Sequence, residues 1–488
     1  MRKSYVLLIS AMLAGCTVGP DYAGPPTTAS DAIARGRFVR ATPQTTADAP
    51  APADWWTGFG DPLLDSLIAD ALAYSPTIDQ VTARVREAQA KARQQTTSRL
   101  PSVSANGTVV RADLPPIGGG SGGGTDLTFY NLGLNAAWEL DLFGGGRRGN
   151  EQAAAAVGAR IADLGDAQVS LSAGVAQAYV GLRDVQERIR LNAQSTALQQ
   201  RQLALSRQRF DQGVASKLDV ERLQGQLEQT QAQAIPLAAQ RDEYLNLIAV
   251  LTGRTPGALD ATLSGVVPVP LPPAQVAVGD PAQLIARRPD IRAAERQLAA
   301  ATAGVGVSKA KELPTVRFLG LLGLGGTTPG AVFDLGNLTT LAAPSLSWSF
   351  LDFGRAKAAT RASQAQADQA DATYRRTVLE ALQDAETQLS RFANTRAQLG
   401  QLVQAQASAA RAATLNRQRV AAGTSRVIDQ LDIERQEIAA GIAVVQAKAA
   451  LSASYIGVMK ALGLGWRAAD ATAISAGADP KTAAPAPR

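Results

Sequence analysis

Residues 128–142 read Thr-Phe-Tyr-Asn-Leu-Gly-Leu-Asn-Ala-Ala-Trp-Glu-Leu-Asp-Leu, and the pattern in them decides the fold. Tyr130, Leu132, Leu134, Ala136, Trp138, Leu140 and Leu142 alternate with Asn131, Gly133, Asn135, Glu139 and Asp141. A period of two with one apolar and one polar face marks a strand that is half in an apolar medium. The run is longer than the five or six residues usual in globular sheets and suits a tilted membrane strand. In the second half of the chain Ala342, Leu346, Trp348 and Phe350 oppose Ser345, Ser347 and Ser349. A weaker partner precedes each run, so strands are predicted at 102–113, 127–142, 315–324 and 339–352. Trp138 and Trp348, near strand ends, fit membrane-interface aromatics. The joins Gly118–Gly124 and Gly325–Gly336 read as flexible outer turns.

The two runs belong to an internal repeat. Ser75-Pro76-Thr77-Ile78 recurs as Arg288-Pro289-Asp290-Ile291, and Arg99-Leu100-Pro101 as Glu312-Leu313-Pro314, each 213 residues on. Trp138 matches Trp348, Phe143-Gly144 matches Phe353-Gly354, and Gly213 with Asp219 matches Gly423 with Asp429, each 210 on. Each half therefore encodes helix, two strands, long helix, tight turn and return helix. Proline is absent from Ile117 to Ile235 and from Ser345 to Asp479, which permits uninterrupted helices because an interior proline costs about 3 kcal/mol. Within those windows Leu164, Leu171, Val175, Ala178, Leu182 and Val185, and then Val378, Leu382, Ala385, Leu389, Phe392, Leu399 and Val403, follow coiled-coil spacing. Helices of this length run roughly 100 Å at 1.5 Å per residue. Gly213 and Gly423 end them and reverse the chain, and Pro236 is predicted to kink the first return helix.

The segments follow. Residues 1–15 form a signal peptide and 16–60 a lipidated extended segment. Residues 61–254 are the first repeat (helical hairpin 147–251), 255–281 a linker, 282–466 the second repeat (hairpin 355–463), and 467–488 a disordered tail rich in Ala and Pro. Arg2 and Lys3 precede a short apolar run that ends in Leu13-Ala14-Gly15-Cys16. That is too short to span a bilayer and reads as an export signal; the last four residues resemble the bacterial lipobox, which makes Cys16 the lipidation site. Cys16 is the only cysteine and histidine is absent among 488 residues. A disulfide, a thiolate cluster, a His-ligated metal and a His-bearing triad are all excluded. The composition argues against an enzyme, and no cofactor or metal is expected. The formal charge of +6 lacks the basic and aromatic clusters of a nucleic-acid binder.

Four strands cannot close a barrel, and an open edge in lipid leaves backbone groups unpaired. Copies of the chain must pool their strands; three would give twelve. Here Cys16-Thr17-Val18-Gly19-Pro20-Asp21-Tyr22 and Trp55-Trp56-Thr57-Gly58-Phe59-Gly60-Asp61-Pro62 resemble the start of outer-membrane factor lipoproteins of tripartite efflux systems, the TolC/OprM-like, NodT type. The resemblance implies a mainly α fold with membrane β: a tandem-repeat protomer that trimerises into a 12-strand β-barrel and a 12-helix α-barrel. It implies an equatorial belt from Asp61–Tyr74, the segment around Gly253–Pro281 and the C-terminal region. It also implies a passive outer-membrane channel for small molecules, extending into the periplasm. Its partners would be outer-membrane lipid, an inner-membrane pump of the RND class, and a periplasmic adaptor docking at the tips, Gly213 and Gly423. A protein-secretion channel and a structural or adaptor lipoprotein without a pore are the alternatives.

The resemblance places an aperture gate just past the second tip. Asp429 and Asp432, three apart, share a helix face. In a trimer, carboxylates ~8 Å apart repel by roughly 0.5 kcal/mol in water and about 2 kcal/mol at an effective dielectric of 20, so cations or donors must hold such a mouth shut. Some relatives place a Tyr and an Arg where Val420 and Ser425 stand, and Arg426 is the nearest substitute. Asp219 is the matching residue at the first tip. The plainer role for all three aspartates is favourable charge at a helix N-terminus, worth 0.3–1 kcal/mol. Gly144-Gly145-Gly146-Arg147-Arg148-Gly149 imitates a dinucleotide motif, but the helix after it is too long for a βαβ unit and reads as a strand-to-helix junction.

Overall fold

The computed structural model describes residues 17–42, 46–47, 52–114 and 125–466. The signal segment, Cys16, the Gly118–Gly124 turn and the tail from 467 lie outside them.

The chain forms the same series of elements twice. The first series is α1 (Pro62–Tyr74), α2 (Pro76–Thr97), β1 (Ser102–Leu114), β2 (Thr125–Leu140), α3 (Gly145–Asp211) and α4 (Lys217–Leu251). The second is α5 (Pro281–Arg287), α6 (Pro289–Ala310), β3 (Thr315–Gly326), β4 (Leu338–Ser347), α7 (Arg355–Ala421) and α8 (Val427–Ala461). Local chemistry sets the starts. Asp61 accepts from the amides of Leu63 and Leu64, and Asp280 from that of Gln283, each with proline next in the chain. The stops of the long elements are also shared. Gly213, Gly253, Gly423 and Gly463, all at positive φ between 68° and 75°, close four Schellman motifs. Gly423 donates to Val420 O at 3.0 Å and Thr424 to Arg419 O at 2.8 Å, as Gly213 does to Phe210 O and Val214 to Arg209 O.

α3 and α7 are 67 residues each and α4 and α8 are 35 each. Pro236 lies inside α4 without ending it. It and Ala232, whose carbonyl loses a partner, are both exposed, so water replaces the missing bond. Contacts divide the chain into two compact units. One gathers Arg84–Arg160 and Ala293–Arg375 with the N-terminal residues up to Pro26; the other gathers Thr27–Ala83, Ile161–Arg292 and the residues from Arg376 on.

The first unit contains the sheet, in the order β1-β2-β3-β4 and antiparallel throughout. Leu132, Leu134, Ala136 and Trp138 of β2 face Leu324, Leu322, Gly320 and Phe318 of β3, and these apolar residues share one face. Leu132, Leu134, Phe318 and Leu322 remain 42–47% exposed. The opposite face is mixed: Asn131 and Asn135 share it with Leu321, while Glu139 pairs with Arg317 at 2.8 Å. Three details differ from the sequence reading. β2 runs Thr125–Leu140, so Leu142, read as part of the alternation, lies beyond the strand. β4 stops at Ser347, leaving Trp348 and Phe350 beyond the strand. Gly325 and Gly326 belong to β3, and the join after them folds into 3-10 turns at Pro329–Phe333 and Leu335–Asn337.

The second unit carries the apolar core. Leu171, Val175, Leu182 and Val185 of α3, Val378, Ala385, Leu389 and Phe392 of α7, and Val444, Leu451 and Ile456 of α8 are buried. The seam weakens toward the tips. Val403 is 44% exposed, and alongside Leu191 and Leu203 the buried positions of α3 now include Asn192, Ser195, Gln199, Gln202 and Ser206. An aromatic cluster of Trp55, Phe59, Tyr455 and Phe392 packs with ring centroids 5.2–6.4 Å apart. Beside it the buried Arg183 donates to Tyr179 Oη and to Gly265 O, and the Tyr179 hydroxyl donates to Asp61 at 2.6 Å. Burial, and then the Asp61 carboxylate, push the Tyr179 phenol up to about 12.

Candidate functional site

The residues singled out past the tips fall on the first turns of α4 and α8. At the first tip, Ser216 caps α4: its Oγ accepts from the Asp219 amide at 3.1 Å and donates to the Asp219 carboxylate at 2.8 Å. Ser216 is thus the N-cap of α4, and the Asp219 carboxylate is taken up by the cap's own hydroxyl. At the second tip, Arg426 occupies the cap position of α8 with no side-chain cap bond and turns to Asp429 instead. Its Nε and Nη2 donate to the two carboxylate oxygens at 3.0 and 2.8 Å. That bidentate hold keeps the Asp429 carboxyl below the usual carboxylate range. The Arg426 guanidinium is pushed above its ordinary range first by its hydrogen bonds to Asp429 and then by that carboxylate's charge. Asp432 lies one turn further on and approaches Arg435 at 3.6 Å.

A ladder that the sequence reading missed ties α7 to α8 behind the second tip. Ser425 Oγ donates to Asn416 Oδ1, Asn416 Nδ2 to Gln430 Oε1, and Gln430 Nε2 to Glu434 Oε1, at 2.9, 3.0 and 2.5 Å. Asn416 and Gln430 are buried. The residues 210 earlier, Ser206 and Val220, cannot build a matching ladder. Under the tips Leu203, Leu223 and Leu227 form a small buried cluster against Val220 and Ile428. The only signal in the sequence was polar residues at seam positions.

At the strand bases the repeat is again visible. The Trp138 indole donates to Arg99 O at 2.9 Å and the Trp348 indole to Glu312 O at 3.2 Å, so each tryptophan ties its strand to the end of the preceding helix. Asp141 accepts from the amides of Gly146 and Arg147, and Asp352 from those of Gly354 and Ala356. The glycine-rich string therefore spends its helix N-terminus on an internal carboxylate.

The first junction is also covered by the N-terminal segment. Val18 donates to Phe143 O at 3.1 Å. Arg148, its side chain 5% exposed, reaches Val18 O, Gly19 O, Asp21 and Glu151. A Cβ on Gly144 would meet Thr17 at 2.3 Å, whereas one on the equivalent Gly354 would meet nothing within 4 Å.

A family model described as outer membrane efflux protein matches residues 67–254 and 281–464, one match to each repeat. The chain is 32% identical over 437 residues to the pyoverdine export outer membrane protein OpmQ of Pseudomonas aeruginosa, covering 86% of this chain and 89% of that one. It is 29% identical to nodulation protein T of Rhizobium leguminosarum bv. trifolii, over 78% of this chain and 79% of the relative. Among solved structures, the outer-membrane channel OprN matches at a TM-score of 0.84 and 33% identity, over 92% of this chain and all of that one. With both repeats matched and the same fold present in a channel of that kind, the chain belongs to the outer membrane efflux protein family.

Proposed function

We propose that this outer-membrane efflux component works as a homotrimer, a passive duct through which small molecules leave the periplasm. The observation that carries the reading is the sheet: four strands with an apolar face, paired only to one another among the described residues, so that β1 and β4 each keep one unpaired edge. In hydrocarbon such edges are untenable, and closure by copies of the chain removes them. At four strands a copy, at least two copies are needed to reach the eight-strand minimum, and the three that the family resemblance implies would give twelve. Cys16, two residues before Val18 in the chain, would carry the acyl chains. The tips at Gly213 and Gly423 would receive a periplasmic adaptor, and Asp429, Asp432, Asp219 and Arg426 would ring the aperture. Energy would come from an inner-membrane pump of the RND class. The pyoverdine of OpmQ's name supports a small-molecule cargo over a protein.

The test is purification in detergent with mass measurement, followed by reconstitution. A trimer that passes ions in planar bilayers is expected. A water-soluble monomer without conductance would sink the proposal.

A further inference from the structure

The sheet contains two kinds of seam. β1–β2 and β3–β4 lie within a repeat, while β2–β3 joins one repeat to the next. The within-repeat seams agree residue for residue. Adding 213 to each β1 number and 210 to each β2 number turns the Ser102–Ala137 pair into Thr315–Ser347 and Gly107–Leu132 into Gly320–Ala342, both observed. The repeat therefore conserves strand register as well as sequence. If the chain closes with copies of itself, as proposed above, β4 of one copy meets β1 of the next in the same repeat-to-repeat sense as β2 meets β3.

We infer that the seam between copies copies the β2–β3 register, so that Ser347 pairs with Asn106 of the next copy, Leu346 with Gly107 and Phe350 with Val103. These are the Ala137–Leu319, Ala136–Gly320 and Leu140–Val316 pairs carried over by the same offsets. The chemistry is compatible. Ser347 meets Asn106 on the mixed face, and Leu346 finds a glycine, as Ala136 does opposite Gly320.

A second observation points to the same partner. The β1–β2 ladder ends at Ala137, and Trp138, Glu139 and Leu140 are in strand only because Phe318, Arg317 and Val316 of β3 lie beside them. Their equivalents, Trp348, Ser349 and Phe350, have no such neighbour, and β4 stops at Ser347. Trp348 is 56% and Phe350 78% exposed. In the inferred register β1 of the next copy supplies the missing neighbour, and β4 lengthens by those three residues, reaching the extent that their alternation in the sequence asks for.

Disulfide trapping in the full chain, in its own membranes, tests this. Directly opposed antiparallel Cα atoms lie roughly 4.5–5.5 Å apart and diagonal ones roughly 7–8 Å, while a disulfide needs less than about 7 Å. The double variants Ser347→Cys with Asn106→Cys, and Leu346→Cys with Gly107→Cys, are expected to give covalent multimers on non-reducing gels that dithiothreitol reverses. Ser347→Cys with Ser104→Cys or with Thr108→Cys, shifted by two residues, should give at least about tenfold less. Each single variant must reach the membrane and keep its heat-dependent gel migration, and the parent chain controls for Cys16. Glutaraldehyde cross-linking of the same membranes separates the two ideas. A multimer in which a shifted pair links best, or in which neither in-register pair links, overturns the register. Monomer throughout overturns the shared barrel itself.

Discussion

In the proposed trimer the Asp429 carboxylate would have to face its copies and stay charged, and Arg426 would decide the balance. The bidentate contact lowers its pKa. A lowered folded value stabilises the paired tip at every pH above the ordinary carboxylate value of about 3.9, and the contribution is lost as pH falls through the lowered value. With Asp219 and Asp432 replaced by Asn, so that Asp429 is the aspartate read, acidifying from neutral to about pH 4 should therefore leave conductance of the reconstituted channel unchanged, with the step lying lower. Arg426→Ala in that background should move that step up to the ordinary carboxylate range, and a step already there before it would refute the pairing. Asp429→Asn combined with Asp432→Asn should raise single-channel conductance severalfold by removing the charges that Arg426 and Arg435 hold. A second residue, Arg148, is buried with four groups around one guanidinium. Arg148→Ala should cost about 2–3 kcal/mol and expose residues 17–22 to protease. Arg148→Lys should recover only part, because a point charge cannot reach both the carbonyls and both carboxylates.

Among the elements, the long helices owe their ends to a few glycines and aspartates. Gly423 sits at φ 72° with open space where a Cβ would go, so Gly423→Ala would be strained by the backbone alone, by about 1–2 kcal/mol. Amide exchange should speed up in residues 419–424 and stay unchanged near Phe392, whereas Gly423→Asn should fray less. Such ends were legible in advance because they are local: a proline-free window, a glycine, an aspartate three residues from an amide. The same holds for the repeat, since Pro76 and Pro289 announce their helices without reference to anything distant. What was not legible depends on contacts between remote residues. Tyr179 meets Asp61 across 118 positions and Arg148 meets Asp21 across 127, and no periodicity marks Arg148 as buried. The polar stripe from Asn192 to Ser206 lies at seam spacing, but the seam was followed through apolar residues and stopped short of it. The end of β4 was misjudged for a different reason: alternation reports which residues suit a strand, while a ladder also needs a neighbour.

For the molecule as an assembly, the unequal seams matter most. The β2–β3 seam within a chain is stitched by Glu139 to Arg317 at 2.8 Å and by Trp138 against Phe318, ring centroids 6.2 Å apart. Carried to the junction between copies, those four positions become Ser349 with Ser104 and Trp348 with Ala105. The seam between copies thus keeps the backbone ladder but has neither the ion pair nor the ring contact. It should be the first to open on heating in detergent, releasing folded single chains before any hairpin unzips. That ordering follows from the register, and it can be altered deliberately. Ser349→Glu with Ser104→Arg transplants the missing ion pair. At about 0.2–1 kcal/mol for one exposed pair, repeated at each seam of a trimer, it should raise by a few degrees the temperature at which the multimer separates on semi-native gels. Ser349→Arg with Ser104→Arg places like charges opposite one another and should lower it. Raising the salt concentration should shrink both shifts. Identical melting of the two double variants would mean that these serines do not face each other across the seam.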